Sequence, residues 1–509
     1  MDIIRLPSVA ARLATIWIRT FYALAFLLCG SLAAQERNQN EKQKAPAIPL
    51  GKSSAATSID VSYQVSPQTP EANRLVIPDV SSGLIEVQNK DSAKPAEAKK
   101  DDKKDEKKDA KPEEKKEKKW YEKISFRGYT QVRFNHAFGY DDDSADPQYV
   151  GDQSVRRNQG FLIRRARMIF SGDVHERVGV YLQPDFASSV PGSTDANQFA
   201  QIRDFYADVY LDDCKINRFR IGQSKVPYGF EDLQSSSNRM PLDRADSFNS
   251  AVRNERDLGV FYYWTPQYAQ ELYKFVIDEN LKGSGNYGVF GLGVYNGQGG
   301  SLQEVNDKVH LVSRFNVPYR FDNGQIIEAG IQGYIGRYAV STTAIRPLGV
   351  GNAVRPVGAL ENGNTTGFQD RRLGASFVMY PQPIGFQAEW TVGRGPTLND
   401  TQTVIEERSL HGGYAMLFAK YETCHHGIWF PFSRWSYFQG GYKSERNAPD
   451  VDINELESGI EWQVNKALEI TVSYLITDRT NTTALTNPGD VSYRQFEGSV
   501  IRCQVQFNY

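Results

Sequence analysis

Beyond Ala34 the sequence has no apolar run long enough to cross a membrane as a helix, which takes ~20 residues. Any membrane-spanning form must therefore be a closed β-barrel, the one other structure that satisfies every backbone polar group in lipid. Cysteine is scarce, with four in 509 residues: Cys29, Cys214, Cys424 and Cys503. Cys29 falls in the leader described below, and the odd remainder argues against a disulfide framework. No Gly-rich phosphate-cradling loop ends in Lys-Ser/Thr, and no Gly-x-Ser-x-Gly is present. His411-Gly412-Gly413 resembles an oxyanion-hole turn but lacks that nucleophile, and we read it as a strand start. Cys424-His425-His426 are consecutive, whereas metal sites separate their ligands. Asp141-Asp142-Asp143 with Asp146 lack the Gly and Glu of a calcium loop and are read as a solvated acidic loop. Neither catalytic residues, nor a metal, a cofactor or a nucleic-acid partner is expected.

The first thirty-four residues have the form of an export signal. Arg5, Arg12 and Arg19 precede the apolar run Phe21–Cys29, and Ser31-Leu32-Ala33 supplies small residues for cleavage. From Gln35 to Lys119 the chain is Pro-, Ser-, Ala- and Gln-rich and ends in a Lys/Asp/Glu run. That segment has no apolar face to bury, so it is expected to be disordered or a solvated helix in the periplasm. Its charge also admits contact with an anionic cell-wall polymer.

Trp120 begins a different pattern. Ile124, Phe126, Gly128, Val132 and Phe134 alternate with Ser125, Arg127, Tyr129, Gln131 and Arg133. At the other end, Ile501, Cys503, Val505, Phe507 and Tyr509 alternate with Arg502, Gln504, Gln506 and Asn508. Strand side chains point to opposite faces in turn, so each stretch has one apolar and one polar face. Between them, alternating segments are joined by long polar loops (Gly139–Gly160, Ala187–Phe199, Tyr228–Arg256) and short turns (Asp173–Arg177, Asp212–Asn217) in strict succession. A soluble sandwich has no reason to alternate loop lengths in this way, whereas a barrel in the outer membrane does. The count comes to about sixteen strands, an even number that puts both barrel ends in the periplasm and leaves room for an aqueous channel. Pro266–Gly285 is the poorest fit, and an extra strand over Leu272–Ile277 is one reading the alternation leaves open there. The fold class is thus all-β, a transmembrane antiparallel barrel over residues 120–509, with residues 1–34 a signal and 35–119 a periplasmic low-complexity segment.

Particular stretches carry a family resemblance: Arg164-Arg165-Ala166-Arg167, Gly222-Gln223-Ser224-Lys225-Val226-Pro227-Tyr228-Gly229-Phe230-Glu231, Arg256-Asp257-Leu258-Gly259-Val260 and Tyr295-Asn296-Gly297. From Trp120 onward the sequence resembles the phosphate-selective porin O and P family. The Gly-Gln-x-Lys-x-Pro stretch followed by Arg-Asp-x-Gly-Val is the most specific part. Ser224 stands where that family usually has a bulky apolar residue. The resemblance implies a sixteen-stranded homotrimeric channel in outer-membrane lipid, with inward-folded loops and lumen arginines arranged for small anions.

From Trp120 onward there are 29 Arg and 9 Lys against 44 Asp and Glu. Arginine keeps its charge and grips phosphate or carboxylate through paired hydrogen bonds. Arg127, Arg133, Arg165, Arg167, Arg314, Arg372 and Arg502 fall on the polar register of their strands, and Arg218 and Arg220 share a face. These are the candidate pore-lining residues. An alternative reading pairs lumen arginines with Asp185, Asp204, Asp208 and Glu328 for structure alone. The long loop after the fifth strand carries Glu231, Arg239, Asp243, Arg244, Asp246 and Arg253, a mixture that suits a constriction with opposed charges. The function expected is passive diffusion of small hydrophilic solutes, with anions preferred. The alternative is a structural or adhesive barrel tethered to the cell wall by residues 35–119.

Overall fold

The period-two alternation forms seventeen β segments in a computed structural model, which describes residues 119–140, 147, 155, 160–187, 200–300, 302–347, 352–481 and 494–509. Residues 1–118 and the Asp141–Asp146 acidic run lie outside the described residues, and with them the expected export signal and low-complexity segment. The segments are β1 (Ser125–Phe138), β2 (Gly160–His175), β3 (Val178–Asp185), β4 (Gln201–Tyr210), β5 (Asn217–Lys225), β6 (Arg256–Trp264), β7 (Phe290–Tyr295), β8 (His310–Arg320) and β9 (Ile326–Tyr338). They continue as β10 (Phe368–Met379), β11 (Ile384–Leu398), β12 (Ile405–Ala419), β13 (Tyr421–Thr423), β14 (Gly427–Gly441), β15 (Asp450–Asn465), β16 (Leu468–Asn481) and β17 (Arg494–Asn508). β12 and β13 are one stave interrupted at Lys420, since both pair with β14. Sixteen antiparallel staves therefore form the wall among the described residues. β1 pairs with β2 on one side and β17 on the other, so the sheet closes without an edge.

Burial is inverted relative to a soluble sheet. Met168, Phe205, Ile221, Val260, Phe315, Ile331, Leu373 and Ile476 are exposed on the outside, while Gln131, Arg133, Arg314, Glu328, Gln387, Glu457 and Arg502 are buried inside. A sandwich would bury the first set; a barrel turns it to lipid. Exposed Trp264, Tyr319, Phe321, Tyr421 and Tyr509 stand at strand ends beside the short turns. There Trp429 and Trp462 also stack at 4.7 Å. Such a girdle of aromatic rings marks the membrane interface. The β8–β9 hairpin closes through Asp322-Asn323-Gly324, where Gly324 takes φ 88°, a conformation that suits a residue without Cβ.

Three expectations are corrected. Leu272–Ile277 is part of the helix Gln267–Asp278, not a strand. Its buried residues Ala269, Tyr273 and Val276 recur at spacings of four and three, the helical period, so the period was misread over a window too short to separate the two. His411-Gly412-Gly413 lies within β12, not at its start. Several strands also run further toward the long loops than their apolar alternation suggests. β15 begins at Asp450 and β16 ends at Asn481, because Asp452, Asn454 and Asp478 occupy the outward register above the lipid-facing residues and break the pattern.

Candidate functional site

The segment from Val226 to Glu255, between β5 and β6, folds into the barrel and is buried over most of its length. It contains two helical turns, Phe230–Leu233 and Asp246–Asn249. Its apolar residues Tyr228, Met240, Phe248 and Val252 pack with inward-facing Phe261, Tyr295, Val312, Tyr334, Tyr414, Met416, Phe418, Phe430 and Phe432. Those partners come from β6, β7, β8, β9, β12 and β14. Each such side chain removed from water contributes about 1.5–3 kcal/mol, so this side of the loop is sealed by hydrophobic packing.

The loop is also pinned by charge. Glu389 on β11 accepts the backbone N–H groups of Phe230 (2.5 Å) and Glu231 (2.8 Å) and the Tyr414 hydroxyl (2.7 Å). Glu231 in turn accepts from Arg434 Nη1 at 2.6 Å and from the Ala245 N–H at 2.8 Å. Asp246 receives Arg479 at 2.6 Å. Arg372 donates to Ser247 O and Ser250 Oγ, each at 2.8 Å. Arg244 pairs with Glu255 at 2.5 Å and Asp232 at 3.4 Å. Burial pushes the Asp232 carboxyl well up, against the pull of Arg244. Burial would raise Asp243 too, but Arg502, Arg133 and Arg164 hold it well below the usual carboxylate range.

On the opposite side, facing β17, β1 and β2, the loop's contacts are polar. Gln131 donates to Ser236 O at 3.0 Å, Arg133 to Leu242 O at 3.1 Å, and Arg167 to Ser236 Oγ at 2.9 Å. Arg502 meets Asp243 at 2.5 Å. These contacts are polar and charge-assisted, in contrast to the apolar seal on the other side.

The candidate pore arginines differ in their partners. Arg167 meets Asp185 at 2.7 Å, Arg220 meets Asp208 at 2.8 Å, and Arg314 meets Glu328 at 3.3 Å. Arg218 lies 3.9 Å from Asp208. Asp204 is held by Arg256 at 2.9 Å. All four carboxylates named in the structural reading are thus paired with an arginine. Arg165 is placed otherwise. Its Nη1 donates to Gln131 Oε1 at 2.8 Å, its Nε is buried without a partner, and no carboxylate pairs with it among the described residues. The charged groups that act on it most strongly are Arg164, Arg167, Arg133 and Arg239. Arg239, from the loop, donates to Pro241 O and Leu242 O, and its Nη1 is also buried without a partner. Arg127 is exposed near the start of β1, at the end of the barrel with the short turns. Arg253 lies against Gly299, away from the loop's inner contacts.

Charge is divided between the walls. Over β17 and β1–β6 the inward side carries Arg133, Arg164, Arg165, Arg167, Arg203, Arg218, Arg220, Arg256 and Arg502 against Asp185, Asp204, Asp208 and Asp257. Over β8–β16 it carries Glu328, Asp370, Glu389, Glu455, Glu457 and Glu461 against Arg314, Arg372, Arg434 and Arg479.

The sequence profile described as phosphate-selective porin O and P matches residues 131–509. The chain belongs to that family. It is an outer-membrane channel protein, and its barrel is the channel. No curated protein matches its sequence. Among solved structures it is similar to OmpT of Vibrio cholerae, at 8% identity and TM-score 0.44 over 76% of this chain and 97% of that one. It is also similar to the channel DcaP of Acinetobacter baumannii, at 12% and 0.42 over 76% and 97%. A third is the anion-selective porin from Comamonas acidovorans, at 11% and 0.40 over 76% and 99%.

In this porin, several residues of the site were not singled out from sequence. Arg434, Arg479, Glu389 and Gln131 hold or face the loop. For Gln131 and Glu389 the signal was available, since each sits on the polar register of a cleanly alternating strand, whereas Arg434 and Arg479 lie where the alternation is broken. Cys424, His425 and His426 form an exposed turn between β13 and β14.

Proposed function

We propose that this porin passes small anions, phosphate among them, along the β17–β1–β2 wall, between that wall and loop residues 235–243. The observation that carries the reading is Arg165, a buried guanidinium with no carboxylate ion pair among the described residues, set among Arg133, Arg164, Arg167 and Arg239 on the polar side of the loop. A fixed positive potential there concentrates anions and excludes cations. The seam is lined by polar and charged groups that an anion can meet in place of one another, while the far side of the loop is closed by aromatic packing. The paired arginines support the wall and the loop and add little net field. Trimeric assembly, a periplasmic N-terminal segment and the lack of catalytic activity belong to the same reading. The test is the zero-current potential of reconstituted protein in a planar bilayer under a salt gradient. Anion preference with stepwise conductance is expected. Cation preference, or no conductance from assembled barrels, rejects it.

A further inference from the structure

The connection from β6 to β7 is unlike the other turns at the periplasmic end. It opens with the 12-residue helix Gln267–Asp278, whose inner face buries Ala269, Tyr273 and Val276. Beyond the helix the backbone takes left-handed values at Asn280 (φ 52°), Lys282 (φ 65°), Gly285 (φ 96°) and Gly288 (φ 79°). This contorted stretch reaches β15, which lies across the barrel from β6 and β7 in the strand order. Asn280 Nδ2 donates to Gln463 Oε1 at 2.6 Å. Lys282 pairs with Glu461 at 2.5 Å and lies 4.4 Å from the centre of the Phe430 ring. Both Lys282 and Glu461 are buried. Leu281 joins Phe230, Ile326, Val378 and Tyr380 in an apolar cluster. From above, the inward loop meets the same stretch: Gln234 donates to Lys282 O at 2.6 Å and Asn238 to Gly283 O at 2.9 Å.

A left-handed backbone at a non-Gly residue costs about 1 kcal/mol or more and persists only where the surroundings over-determine it. Here the surroundings are the far wall and the inward loop. The insertion therefore covers the periplasmic end of the β8–β15 side, where the inward carboxylates outnumber the bases, and does so in contact with the loop that covers the same side from within.

We propose that this insertion is a second selectivity element. It closes the carboxylate-bearing side of the lumen to ions, and Lys282 is the positioning residue that holds it against Glu461. The proposal rests on the anion-channel reading above. The inward loop rests on the insertion through Gln234 and Asn238, so releasing the insertion loosens that side of the loop and gives ions a second route past Glu328, Glu457 and Glu461, a surface that favours cations.

The test uses full-length protein in planar bilayers. Lys282→Met with Glu461→Gln removes the tie without leaving a buried charge unpaired. Conductance should rise, and the zero-current potential should shift toward cation preference. To separate position from charge, Asn280→Cys and Gln463→Cys are added to that variant, with Cys214, Cys424 and Cys503 changed to Ser. Bridging the two new thiols with a short bis-maleimide should restore the wild-type values, although the charges stay removed. Unchanged conductance in assembled barrels overturns the proposal, and so does a rise in conductance with selectivity unchanged. If the double variant does not assemble, Asn280→Ala with Gln463→Ala is read by the same criteria. The anion-channel reading is judged separately, from the wild-type zero-current potential.

Discussion

At the scale of single residues, two arginines one strand pleat apart have different consequences. Arg165 has like-charged neighbours and a single neutral side-chain partner, whereas Arg167 holds Asp185 and meets Tyr129 and Ser236. Arg165→Ser should leave assembly intact and move the zero-current potential toward cation preference. Arg167→Ser breaks a buried ion pair and should cost about 3 kcal/mol or more, seen as a lower temperature at which the barrel band converts to the unfolded band when samples are heated before electrophoresis. Equal thermal losses in both variants would contradict this division. Lys443 gives the pH dependence. Burial pulls its ammonium down to about 8, although Asp370 beside it pulls the other way. The folded value lies below the ordinary one, so between about pH 8 and the usual lysine range the unfolded chain holds more protons, and stability rises with pH across that window. The folded protein loses this positive charge at about pH 8. Anion preference should therefore weaken from about pH 7 to about pH 9, and Lys443→Gln should abolish that change. The arginines on strands with one clean polar face were legible from sequence. Arg434 was not, because β14 is aromatic on both faces: Phe430, Phe432 and Phe438 turn inward onto the loop or its surroundings, while Trp435 and Tyr437 turn outward. Alternation carries no information where both faces meet apolar surroundings.

At the scale of elements, the terminal strand closes the barrel. Its residues run in register with β1 from Phe138↔Ser499 to Tyr129↔Asn508, and Gly128 and Tyr509 exchange both backbone hydrogen bonds at 2.6 and 3.0 Å. Deleting Phe507–Tyr509 removes the short-turn end of that seam and opens an edge in lipid. Assembled, heat-modifiable barrels should then be lost, and normal migration on unheated gels would reject this. The strands were legible because lipid on one side and a polar lumen on the other impose strict alternation. The inward loop was legible only as a long mixed-charge stretch after the fifth strand, since its fold depends on partners from six or more strands far away in sequence. The Gln267–Asp278 helix was missed because Leu272–Ile277 is apolar at nearly every position, so a window that short shows neither period. What fixes it is contact with β8 and the inward loop's neighbourhood, such as Asn316 donating to the Tyr273 hydroxyl at 3.0 Å.

At the scale of the whole molecule, the formal net charge of -2 conceals a division across the lumen, with guanidiniums in excess over β17 and β1–β6 and carboxylates over β8–β16. Close ion pairs within a wall cancel at short range, so what acts on a passing ion is the residual field of each wall. Such a field reaches only as far as salt allows, ~10 Å at 0.1 M and ~3 Å at 1 M. If selectivity comes from this residual field, the anion preference should be strongest in dilute salt and fall steadily toward 1 M. If it comes instead from anions held in direct contact by two or three guanidiniums, it should persist at high salt, with conductance saturating as anion concentration rises. The Arg165–Arg239 neighbourhood favours a mixture in which Arg165→Ser removes the salt-resistant part and leaves the screened part. Zero-current potentials measured for wild type and Arg165→Ser from about 0.01 to about 1 M salt separate the two contributions. Parallel curves for the two proteins at every salt concentration would mean that Arg165 acts only as one more charge in the wall, and that the selectivity belongs to the wall as a whole.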